Sequence, residues 1–139
     1  MIKQYYMPTQ IIMGEDCVQS SNKVFSEMGK KALIVTGKNS ARLNGSLDDI
    51  IKVLSSNGQE WALFDKIMSN PTIECVYEGA AFAKTENVDF IIAIGGGSPM
   101  DAAKAINLLA CQDIPEDKLF NGQYSEEILP MILVPTTAG

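Results

Sequence analysis

Histidine does not occur anywhere in the 139 residues. Its absence removes the commonest general base near neutral pH and the commonest metal ligand together. Any acid–base or metal chemistry must use Asp, Glu, Lys, Cys or Tyr, or a group this chain does not carry. Cysteine is scarce as well. Cys17, Cys75 and Cys111 are odd in number and far apart, with no C-x-x-C pair. This pattern argues against a disulfide framework and against a zinc site. The expectation is reduced thiols in a cytoplasmic protein, each a small buried apolar side chain. Long apolar runs are also missing. No stretch approaches the roughly 20 residues that span a bilayer, and the opening MIKQYYMPTQ has no signal-peptide core. Positive charge is in deficit, with a net charge of -6, so nothing here attracts nucleic acid.

What remains is the composition of a folded domain. Hydrophobic residues make up 46% and charged residues 20%, too apolar and too weakly charged for disorder. The length fits a single domain over 1–139. A chain of this size buries about two thirds of its unfolded surface.

The apolar pattern switches between two periods. KALIVT (31–36), EWALFD (60–65), DFIIAIG (89–95) and MILVPT (131–136) read as strands. SLDDIIKVLSSNG (46–58) places apolar residues at 47, 50, 51 and 54, which is helical spacing. Ser46 is the expected N-cap and Gly58 the expected stop. Thr72 is the expected cap of a helix over 73–86, and DAAKAINLLA (101–110) reads as another helix. Residues 3–14 read as extended and 16–29 as a helix. Strands alternating with helices predict an α/β, Rossmann-like, mostly parallel sheet with helices on both faces. Ligands of such sheets sit beyond the carboxyl ends of the strands. Residues 36–42, 95–101 and 135–139 leave such ends.

The most informative stretch is IIAIGGGSPMDAAK (91–104). A buried strand stops at Gly95, Gly96 and Gly97, and a helix follows. Each glycine costs roughly 0.5–1 kcal/mol relative to alanine inside an element, so three together need a reason. Ser98 is the expected N-cap, Pro99 the first helical residue, and Asp101 the far end of a capping box. The first amides of such a helix carry partial positive charge, and bare glycine backbone lets a phosphate approach closely. The run matches neither G-x-G-x-x-G, because Met100 stands at the third glycine, nor the Walker loop. One glycine would suffice for a tight turn that packs a helix on a strand, so three in a row favour a phosphate site, whose ligand the run does not name. Asp101 reads either as a helix-end carboxylate paired with Lys104 or as a ligand acceptor.

These motifs together resemble a known family. GGGSPMDAAKAI (95–106), VTGKNSARLNGSLDDI (35–50), NPT (70–72) and VPTTAG (134–139) occur in the order found in the iron-containing (group III) alcohol dehydrogenases, nearest the butanol dehydrogenase type. The resemblance implies an N-terminal dinucleotide-binding domain, 1–139. The family's C-terminal helical domain, which binds iron or zinc through one aspartate and three histidines, has no counterpart here. It implies that Gly95, Gly96, Gly97 and Ser98 form the pyrophosphate loop, and that Asp101 lines the nicotinamide side. It places Asn70 and Pro71 beside the adenosine half. Thr136 and Thr137 match threonines that contact the phosphates and the nicotinamide ribose. The chain is expected to supply no catalytic residue and no metal ligand, and to be inactive alone.

The expected cofactor is NADP, with NAD the alternative. In NAD-preferring sites a carboxylate just after the first strand binds the adenosine ribose hydroxyls. Here that position is Gly37, followed by Lys38, Asn39 and Ser40, with Arg42 nearby. The expected partners are a nicotinamide dinucleotide, further copies of the chain in a homo-oligomer and, in the full-length enzyme, a small alcohol or aldehyde, with no membrane or nucleic acid. Three other readings stay open: a stand-alone nucleotide- or phosphate-binding module, the glycerol dehydrogenase or dehydroquinate synthase branch, and a flavodoxin-like signalling domain.

Overall fold

The computed structural model describes residues 9–11, 22–37, 45–67, 72–111 and 128–135. In chain order the elements are β1 (Thr9–Ile11), α1 (Asn22–Met28), β2 (Lys31–Gly37), α2 (Ser46–Ser56), β3 (Glu60–Ile67), α3 (Ile73–Glu86), β4 (Phe90–Gly95), α4 (Gly97–Cys111) and β5 (Met131–Pro135). The strands form one sheet in the order β1-β5-β4-β2-β3. Every pairing among the described residues is parallel.

Successive strand residues point to opposite faces, and each face has its own core. On one face α3 and α4 lay Val76, Ala80, Ala103 and Ile106 against Leu33, Val35, Ile91 and Ala93. On the other, α1 and α2 bring Phe25, Leu47, Ile50 and Leu54 onto Ile34, Phe90, Ile92 and Ile132. β4, covered on both sides, is buried from end to end. This explains its unbroken apolar sequence. β3 lies at the sheet edge and alternates with exposed residues, among them Glu60, Trp61 and Lys66.

The ends of α2 and α3 follow their capping chemistry, except at the start of α2. Thr72 caps α3, its side chain accepting from the Cys75 N–H at 3.1 Å. α2 ends where Gly58 N–H reaches Ser55 O at 3.1 Å and Gln59 N–H reaches Leu54 O at 2.8 Å, a Schellman pattern. The expected Ser46 cap of α2 is not formed. Gly45 is the N-cap, in left-handed conformation and with no side-chain bond, and Ser46 is the first helical residue. Asp48 and Asp49 in the first turn face the positive helix end instead.

β4 starts one residue later than its apolar run implies. Asp89 turns its carboxylate to accept from the Lys30 and Lys31 amides at 2.8 and 3.2 Å. β3 runs two residues longer than EWALFD. Cys75 is buried, as its role as a core residue requires, but Cys111 is exposed at the end of α4, against expectation. No described helix is long and apolar enough to cross a membrane.

Candidate functional site

The chain reverses its direction of winding between β2 and β4. From β2 the chain crosses through α2 to β3 at one edge, then returns through α3 to β4 on the other side of β2. The helices that follow the neighbouring strands β2 and β4 therefore lie on opposite faces of the sheet. Ligands of doubly wound sheets bind at such a point. The register sets the two strand ends side by side, with Thr36 opposite Ile94 and Gly95 opposite Pro135 of β5.

Gly95 ends β4 with φ +140°, a backbone that L side chains rarely adopt. A Cβ here would lie 2.8 Å from Cγ of Pro99. The proline ring thus lies against the bare backbone of Gly95. This accounts for the first glycine by internal packing and leaves Gly96 and Gly97 to be explained.

α4 begins earlier than its capping residues suggest. The helix starts at Gly97, and Met100 N–H bonds to Gly96 O at 3.4 Å. Gly96 is therefore the N-cap position. Ser98 and Pro99 fall on the second and third helical residues, not on the cap and the first. Proline is harmless there, because the first turn has no intrahelical acceptor for its N–H groups. The donors left by that rule are the amides of Gly96, Gly97 and Ser98. Asp101 is the fifth helical residue. It lies in the second turn, is exposed, and forms no capping box. Among the described residues the ion pairs are Lys23–Glu27, Lys31–Glu86 and Lys66–Glu78, so Asp101 does not pair with Lys104.

The electrostatics of this helix end differ from those of its neighbours. α2 carries Asp48 and Asp49 in its first turn and α3 carries Glu74. α4 has no acidic residue in its first turn. The positive end of its dipole is left without a carboxylate of its own, at the switch point, with glycine backbone on the approach. The arrangement fits an external anion such as a phosphate or pyrophosphate.

Among the described residues, the carboxyl end of β3 holds no activated nucleophile. Cys75 Sγ points to the Lys66 carbonyl at 3.5 Å, and burial pushes its thiol above the ordinary value, helped by the charge of Glu78. Lys66 is raised by its hydrogen bond to Glu78, 2.6 Å away. No group of three or more Cys, Asp or Glu side chains among the described residues can hold a metal ion. With no histidine in the sequence, the described donor set does not fit an iron or zinc centre.

Of the site residues expected from sequence, Gly37, Gly95, Gly96, Gly97 and Ser98 are brought to adjoining strand ends, and Asp101 lies one turn beyond them. Lys38, Asn39, Ser40, Asn70, Pro71, Thr136 and Thr137 lie outside the described residues. Two residues were not anticipated. Pro99 packs on Gly95. Thr36 is a buried hydroxyl that donates to the Gly37 carbonyl at 2.8 Å. A polar residue closing an apolar strand was the available sign for the second.

The architecture defines a doubly wound, Rossmann-like α/β domain. The family model for iron-containing alcohol dehydrogenase matches residues 8–139, and the chain belongs to that family. It is similar to NADH-dependent butanol dehydrogenase B of Clostridium acetobutylicum, with 31% identity over 137 residues, 97% of this chain and 35% of the relative. The crystal structure of an iron-containing alcohol dehydrogenase from Thermotoga maritima superposes with a TM-score of 0.86 at 36% identity, covering 99% of this chain and 39% of the other. Sulfoacetaldehyde reductase from Bifidobacterium kashiwanohense, solved in complex with NAD+, gives a TM-score of 0.80 at 28% identity, covering 100% of this chain and 37% of that one. The chain spans about a third of the length of the curated relatives it matches.

Proposed function

We propose that this chain is the cofactor-binding domain of an alcohol dehydrogenase that interconverts primary alcohols and aldehydes. The observation that carries the reading is the start of α4. Amides of Gly96, Gly97 and Ser98 stand at the switch point of the sheet, and no acidic residue occupies the first turn. In this reading they hold the pyrophosphate of a nicotinamide dinucleotide, which supplies the hydride when bound. The family motifs add Asn70 and Pro71 at the adenosine half, Thr136 and Thr137 near the nicotinamide ribose, and Asp101 on the nicotinamide side. The chain's own task is to bind and orient, and the substrate-polarising group belongs to the remainder of the enzyme.

The finer assignment is NADP. Gly37 ends β2 where an NAD-selective site places a carboxylate. A glycine there leaves room for a 2′-phosphate and does not repel it, and Lys38 or Arg42 can pair with it. The relatives named NADH-dependent give the opposing outcome a concrete form.

The test is direct titration of the 139-residue chain with NADPH and NADH, read by calorimetry. Binding of both, with NADPH tighter, is expected. Gly97→Asp puts a carboxylate into the first turn and should weaken both by about tenfold or more. If that variant binds as wild type does, the phosphate does not sit at α4. Gly37→Asp should invert the preference toward NADH, and an unchanged ratio refutes the NADP assignment.

A further inference from the structure

The turn from α2 into β3 is Asn57-Gly58-Gln59, and its two side-chain amides reach across to α1. Gln59 is buried, and its Nε2 donates to the carbonyls of Phe25 and Gly29 at 2.8 and 2.6 Å. That orientation turns Oε1 toward Asn57. Asn57 Nδ2 donates to it at 3.1 Å and to the Asn22 carbonyl at 3.3 Å. Asn22 opens α1, and Gly29 follows its last residue. Both neighbours of the Asn57 side-chain nitrogen are acceptors, so the position requires a donor.

In an Asn-Gly pair the side-chain amide is open to attack by the next main-chain nitrogen, because glycine has no side chain to obstruct it. Asn57 is half-buried and Gly58 exposed. A Cβ on Gly58 would meet nothing within 4 Å. In the folded turn the reaction is held back. Asn57 has ψ -5°, whereas ring closure needs Cγ and the Gly58 nitrogen on one side of the Cα–C bond. Gly58 N–H is engaged by Ser55 O at 3.1 Å, and the Asn57 amide by its two acceptors. Attack therefore requires the turn to open.

We propose that Asn57 is a site of spontaneous deamidation, gated by opening of this turn, and that its product loosens α1 from the sheet. The Gly58 nitrogen gives up its proton and attacks Cγ of Asn57. The new N–Cγ bond closes a cyclic imide, the Cγ–Nδ2 bond breaks, and ammonia leaves with the proton. Water then opens the imide at either carbonyl to give aspartate or isoaspartate, with no oxidant or reductant. Either product removes the amide donor and adds a negative charge at the carbonyl end of α2. Gln59 Oε1 and Asn22 O lose their donor, and the tie on α1 is weakened. The modification is independent of the dinucleotide reading above.

The experiment incubates the 139-residue chain in mild alkali and maps its peptides by mass spectrometry. Conversion at Asn57 is expected, with isoaspartate among the products. The sequence pairs Asn44-Gly45 and Asn121-Gly122 are followed in separate peptides. Gln59→Leu removes one acceptor of the Asn57 amide and should speed conversion about fivefold. If that variant does not fold, urea below the unfolding transition takes its place and should accelerate conversion likewise. An Asn57 that stays intact in the folded chain while the urea-unfolded chain converts overturns the site. A rate unmoved by the loosening overturns the gate. Release of α1 is read from Asn57→Asp and Asn57→Ala. Both lose the donor, and only the first adds a charge. Asn57→Asp should melt about 3 °C below Asn57→Ala and exchange the amides of α1 faster. Equal melting and equal exchange overturn the release.

Discussion

The amino and carboxyl ends of the sheet treat loose backbone in opposite ways. At the amino ends, side chains close it off. Asp89 accepts from two amides ahead of β2. Gln59 donates to the carbonyls of Phe25 and Gly29 at 2.8 and 2.6 Å, and accepts from Asn57 at 3.1 Å. Asn107, fully buried, clasps Leu129 through both its N–H and its C=O at 2.8 Å. At the carboxyl ends of β2 and β4, apart from the Thr36 hydroxyl on the Gly37 carbonyl, glycines and a helix start without an acidic residue stand in place of such clasps. Unpaired buried polar groups cost about 1–3 kcal/mol each, so the first end is where stability is concentrated. Donors kept free for a ligand are affordable only at the second. The contrast separates a foundation from a site on one scaffold.

The largest effect that would test this contrast is expected at Asn107. Asn107→Leu leaves the Leu129 amide and carbonyl without partners in a buried setting, and should lower stability in urea unfolding by about 2–4 kcal/mol. A loss below half a unit of that scale would mean that water or rearrangement replaces the clasp. The next effect lies at the other end. Gly95→Ala forces a side chain onto φ +140° and against Pro99, at a cost of about 1–3 kcal/mol. Because it displaces the start of α4, it should also weaken dinucleotide binding, which an amino-end variant of equal stability cost would do less. The smallest effect is expected at Lys66. Its hydrogen bond to Glu78 raises the amine above its ordinary value, so the amine's contribution is present below its unfolded value and is lost as the pH rises through the folded one. Lys66 is exposed, and such pairs contribute little. Lys66→Met should leave the unfolding midpoint nearly unchanged at pH 7, and the two proteins should converge fully in strong alkali.

Local pattern carried most of the fold and half of the site. α3 matches its expected bounds because Thr72 supplies a side-chain cap and the apolar spacing is regular. α4 was misplaced at its start because its N-cap, Gly96, has no side chain to announce it, while Ser98 offers a cap signal that the backbone does not use. The same happened at Gly45 and Ser46. Gln59 and Asn107 had no readable sign, since their partners lie 30 or more and 22 residues away. The glycine run pointed to the end of β4, where α4 begins. The packing of Gly95 on Pro99 has no sign in the local pattern.

α4 belongs to both ends at once. Its 15 residues make a rod about 22 Å long at 1.5 Å per residue. Asn107 anchors it near its foot, and its tip carries the glycines. A small tilt at the anchor is magnified along the rod, so slack in a clasp that touches no ligand becomes misaim where a phosphate would dock. Tightening the anchor should sharpen recognition from a distance, by geometry alone.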